Sequence, residues 1–131
     1  MRKLTLFAAI ITMIFTTTCK KEGEPTCNAG TGGNISLVIH PAHHGNPIPG
    51  ATAYIEFNTQ SNAGATSNYD LTVHGEASED HIHVNGLRCG DYFIYCVGYD
   101  SAINQQVFGG IPFVIKPNQS GEIDVHVPVT E

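Results

Sequence analysis

After Cys19 no stretch of the chain places apolar residues at three-and-four spacing over two turns, so a helix would have no face to bury. The apolar residues alternate instead, in short runs cut apart by Gly, Pro, Asn and Asp. Ile35, Leu37 and Ile39 alternate with Ser36, Val38 and His40, and Ala53, Ile55 and Phe57 with Thr52, Tyr54, Glu56 and Asn58. Leu71 and Val73 alternate with Asp70, Thr72 and His74, and Ile82 and Val84 with His81 and His83. Residues 91–99 are apolar on both faces, which predicts a central strand. Val107–Ile115 is interrupted by Gly109, Gly110 and Pro112, which predicts an edge strand or a bulge. Ile123, Val125 and Val127 close the series. Seven short strands of this kind predict an all-β antiparallel sandwich.

At 131 residues the chain has room for one such domain. Its 14% charged content is low, and 12 acidic residues against 6 basic give a net charge of −6. That balance excludes nucleic acid and a polybasic membrane surface as partners, since both need clustered Lys and Arg. It favours cations.

Residues 1–18 have the three-part layout of a secretory signal: Arg2 and Lys3, an apolar run from Leu4 to Phe15, then small threonines. The run is too short for the ~20 residues of a membrane-spanning helix. Cys19 follows directly and precedes a charged, polar stretch, an arrangement that resembles a bacterial lipoprotein signal. The resemblance implies acylation of Cys19 and attachment to the cell envelope, at the periplasmic side or the cell surface. Thr16 and Thr18 stand where Leu and a Gly or Ala are usual, which leaves ordinary signal cleavage open. The expected organisation is a signal over 1–18, a lipidated tether over 19–32 and a sandwich domain over 33–131. Without Arg2 and Lys3 the mature charge becomes −8.

Two motifs carry a second resemblance. Asn46-Pro47-Ile48-Pro49-Gly50-Ala51 turns into a strand, and later Gly86-Leu87-Arg88-Cys89-Gly90-Asp91-Tyr92 follows the alternating Ile82–Val84 run. Together they look like the transthyretin-like, carboxypeptidase regulatory-like modules. That resemblance implies a seven-stranded, prealbumin-like Greek-key sandwich, usually an accessory module without catalysis. The fold also hosts the 5-hydroxyisourate hydrolases, but their closing Tyr-Arg-Gly-Ser is missing here, and Arg88 is the only arginine after the signal.

Seven histidines, all after the signal, are the conspicuous excess. If 70–75 and 81–85 pair as a hairpin, His74 faces His81, with His83 two residues on along the same face. With Asp70, Glu76, Glu79 or Asp80 nearby, these imidazoles could hold Zn²⁺ or Cu²⁺; the competing reading is a solvated strand face. His40, His43 and His44 form a second group with a weaker metal signal, and His126 points outward with no expected role. Of the remaining cysteines, Cys96 reads as a buried hydrophobe. Cys27 and Cys89 either bridge, stapling the tether to the domain, or remain free thiols.

No G-x-S-x-G, H-E-x-x-H or phosphate-cradling glycine loop is present, so catalysis is not expected. Phe93, Tyr95, Val97 and Tyr54 form an aromatic face that is either an open patch or is covered by the 59–68 loop. The sequence therefore predicts a non-catalytic, lipid-anchored envelope module that binds or supports an unidentified protein or glycan partner. The alternative is a Zn- or Cu-binding envelope protein using outward-facing histidines.

Overall fold

A computed structural model describes residues 26–62, 64 and 66–131. The segment 1–18 and Cys19 lie outside the described residues. Eight strands are present: β1 (Thr31–His43), β2 (Asn46–Pro47), β3 (Thr52–Phe57), β4 (Leu71–His74), β5 (Ile82–Leu87), β6 (Gly90–Asp100), β7 (Gln105–Ile115) and β8 (Gly121–Pro128). Thr66–Asn68 forms a single 3₁₀ turn, and no α-helix occurs among the described residues.

Two sheets pack face to face. In the first, β1 is hydrogen-bonded to β2 and β5 and also to β8. In the second the order is β4-β3-β6-β7, all antiparallel. The doubly apolar β6 is central and the Pro112-bearing β7 is an edge, because Pro cannot donate to a second ladder. Two features depart from the simple seven-strand expectation. A two-residue strand, β2, reverses from β1 through His44 and Gly45, whose φ values of 49° and 82° suit the primed turn of a tight hairpin. In addition β8 runs parallel to β1, from Ile35 opposite Gly121 to Ala42 opposite Pro128.

The core follows the alternation. Ile35, Leu37 and Ile39 of β1 meet Ala53 and Ile55 of β3, Ile94 and Cys96 of β6, and Val125 and Val127 of β8 in one buried cluster. Full burial of such an aliphatic side chain stabilises by roughly 1.5–3 kcal/mol. Tyr92 is fully buried, and its hydroxyl needs partners. It accepts from the Gly30 N–H at 3.0 Å and donates to the Arg88 carbonyl at 2.6 Å. Burial pushes its pKa up. Beside it Cys27 and Cys89 are joined in a disulfide with Cα atoms 5.1 Å apart. Such a bond fits an oxidising, extracytoplasmic compartment.

The expected hairpin of 70–75 with 81–85 does not form. The Gly75 N–H donates to Ala51 and the Gly50 N–H to Glu79, so residues 75–81 carry the chain from one sheet to the other. β4 pairs with β3, and β5 pairs with β1. His74 therefore stands in the second sheet, away from His81 and His83, its Nδ1 3.0 Å from the Thr52 hydroxyl.

Candidate metal centre on the outer sheet face

Because β1 buries Ile35, Leu37 and Ile39, its alternate residues Ser36, Val38 and His40 face outward. The neighbouring strands do likewise: β5 shows His83 and Asn85, while β8 shows Glu122, Asp124 and His126. Register then decides which side chains meet. His83 and Asp124 flank Val38 from either side, and His126 lies opposite His40. Val38 is only 6% exposed, so the imidazoles around it stand on an apolar floor.

Four histidines gather there. The His40 ring stacks on His126 with centroids 5.0 Å apart and lies 5.8 Å from His81. His81 and His83 meet edge to face at 4.7 Å. Nε2 of His81 is 3.0 Å from Nε2 of His83 and 3.9 Å from a carboxylate oxygen of Glu79. The other nitrogen of His81, Nδ1, is 2.8 Å from Asp80. If Nδ1–H donates to Asp80, Nε2 is left with a lone pair, the tautomer a metal ligand needs. One ligand atom from each of Glu79, His81 and His83 lies within 4.8 Å of the others.

The charges around this group favour cations. The hydrogen bond to Asp80 raises the His81 pKa above its ordinary value against the opposing effect of burial, with Glu79 adding to the rise. The same bond holds Asp80 below the usual carboxylate range. Asp124 accepts from Nε2 of His40 at 2.8 Å. Two imidazole nitrogens and a carboxylate oxygen form a donor set suited to Zn²⁺ or Cu²⁺.

The structure puts His81 and His83 side by side, and strand register adds His40 and His126, which the sequence reading left apart. Alternation shows that each points outward; only strand order and register bring them together. A groove of about 420 Å³ extends from the His40–His126 pair to His44, floored by Ala42, Val127 and Val129. His43 turns inward instead.

The remaining candidates have other roles. Burial pushes the Cys96 thiol up to about 12, so it is an inert hydrophobe rather than a ligand. On the second sheet Tyr69, just past the 59–68 loop, stacks on Tyr95 with centroids 5.9 Å apart and packs against Tyr54. That face is thus partly covered, although Phe108 remains 43% exposed. No family model, curated protein or solved structure matches the chain.

Proposed function

We propose that this chain is a non-catalytic, extracytoplasmic metal-binding module that holds Zn²⁺ or Cu²⁺ on its outer histidine face. The observation that carries the reading is the convergence of Glu79, His81 and His83 within 4.8 Å, with Asp80 orienting the His81 ring. His40 and His126 lie beside this group and supply further imidazoles for an ion arriving or leaving. The site is at the surface and its ligands come from one short stretch, which suits an exchangeable ion better than a structural one.

The finer reading of the fold is a transthyretin-like Greek key. Support comes from the parallel pairing of β1 with β8 and from Tyr92, whose buried hydroxyl closes the Gly86–Tyr92 motif onto Gly30 and Arg88. We further propose that acylation of Cys19 anchors the module to the bacterial envelope. The disulfide supports the compartment, and the sequence around Cys19 supports the anchor.

Calorimetric titration of the metal-free protein with Zn²⁺ and Cu²⁺ at pH 7.5, where imidazole is mostly neutral, tests the metal reading. One equivalent should disappear in His81→Ala/His83→Ala. An unchanged stoichiometry in that variant would overturn the assignment. Intact mass of the purified protein tests the anchor separately, since an unmodified Cys19 is incompatible with it.

A further inference from the structure

The inward-facing positions of β1 do not end with its aliphatic residues. They continue through Pro41 to His43, which is 4% exposed. Those of β6 run through Tyr92, Ile94 and Cys96 and end at Asp100, 9% exposed. An imidazole from one sheet and a carboxylate from the other therefore close one end of an otherwise apolar core. Nδ1 of His43 lies 2.8 Å from Oδ2 of Asp100, and a second oxygen of Asp100 accepts from the Ala102 N–H at 2.9 Å. The carboxylate is held firmly and in turn orients the ring.

That arrangement leaves Nε2 of His43 to be explained. A carboxylate oxygen of Glu131 stands 2.8 Å away but off the direction a ring N–H would point, so this buried nitrogen completes no directed hydrogen bond. It is ion-paired with that carboxylate without a well-directed bond, and such an off-axis contact at a buried nitrogen calls for a cause. The neighbouring groups supply one. The His44 ring lies 4.2 Å from the His43 ring, and one ligand atom from each of His43, His44 and Glu131 falls within 4.8 Å of the others.

We propose that His43, His44 and Glu131 form a second transition-metal site of the zinc class, distinct from the Glu79–His81–His83 cluster, with Asp100 as the outer carboxylate that orients His43. Two imidazoles and one carboxylate make a three-ligand set of the kind that leaves a fourth tetrahedral position to water or a small ligand. A buried histidine whose far nitrogen is bound to a carboxylate is the usual support of such a centre. Zinc bonds of about 2.0–2.2 Å set neighbouring ligand atoms roughly 3.3 Å apart, so the 2.8 Å between His43 and Glu131 has to open slightly. The Glu131 side chain is 55% exposed and free to give way. His44 also lines the 420 Å³ groove, which provides a path for solvent and small ligands to the cluster.

The turn itself provides a clean test. His44 has a φ of 49° in a two-residue turn whose first position favours Asn. His44→Asn therefore removes the imidazole and keeps the turn. The experiment uses the full, metal-free chain carrying His81→Ala/His83→Ala, which silences the sheet-face cluster. Zn²⁺ is titrated by calorimetry at pH 7.5, and Co²⁺ by its visible absorption. One equivalent should still bind, with the intense bands of tetrahedral cobalt. His44→Asn and Glu131→Gln should each weaken it at least tenfold. Asp100→Asn should weaken it 10- to 100-fold at unchanged stoichiometry, as outer-sphere partners do. Absence of the equivalent, or an equivalent that neither His44→Asn nor Glu131→Gln affects, would overturn the site and leave His43 as an imidazolium clamped between two carboxylates. Survival of this equivalent is independent of whether the sheet-face cluster binds metal, so the two assignments fail separately.

Discussion

An imidazole in the inward series of a strand is tolerated only where a partner takes its N–H, and at His43 that partner is Asp100. The hydrogen bond to Asp100 raises the His43 pKa above its ordinary 6.5 although burial opposes the charge, and Glu131 adds to the rise. The same bond, with that from the Ala102 N–H, lowers Asp100 below its ordinary 3.8. The signs fix a window. The raised histidine contributes stability that is complete below about pH 6.5 and is lost as pH climbs through its folded value. The depressed carboxylate contributes above about pH 3.8 and is lost as pH falls through its own. In the presence of a chelator, thermal midpoints should therefore peak between those limits and decline toward pH 8. His81 titrates with the same sign, so Asp100→Asn isolates the buried pair: its decline above pH 6.5 should be shallower than that of the parent. An identical slope would show that His43 is neutral in the folded protein.

At the level of elements, one junction holds the segment entering β1 against the turn between β5 and β6. The Cys27–Cys89 bond crosses it, the Arg88 N–H donates to Gly30, and Tyr92 spans both sides through its hydroxyl. Removing the disulfide, which links residues 62 apart, should cost about 2–4 kcal/mol. Tyr92→Phe keeps the ring but strands the buried Gly30 N–H and the partly buried Arg88 carbonyl, at about 1–3 kcal/mol. Both changes loosen the same contact, so urea unfolding of Cys27→Ser/Cys89→Ser, of Tyr92→Phe and of the combined variant should give losses that do not add. Strict additivity would mean that the junction is not one unit. Much of this scale is legible in the sequence, because alternation marks a half-buried strand wherever it occurs. The Gly86–Tyr92 motif likewise points to a turn running into a strand. Pairing is harder to read. The Glu76–Asp80 stretch is as polar and turn-prone as a hairpin loop, and nothing local shows that it crosses between sheets. That ambiguity placed His74 beside His81. Following β1 two steps beyond Ile39 would have led to His43, but a histidine after Pro41 looks like loop until Asp100 is seen opposite.

Across the whole molecule, histidines extend from His83 and His81 through His40 and His126 to the groove edged by His44, on a domain whose charged groups are mostly acidic. Metal bound only by the folded state must stabilise it. At a hundredfold excess over Kd the gain is about 2.7 kcal/mol, or roughly 10–20 °C for a domain near 100 residues. Differential scanning calorimetry should show zinc raising the midpoint by this order and a chelator reversing it. A midpoint indifferent to both would exclude tight binding at either cluster.

The parallel course of β1 and β8 has a geometric consequence. The polypeptide enters the sandwich at the disulfide pole and departs at the opposite one, with the eight paired residues Ile35–Ala42 spanning about 25 Å between them. A particle or surface grafted through the entering arm would leave the imidazole-lined cleft pointing away from its point of attachment, open to whatever diffuses past.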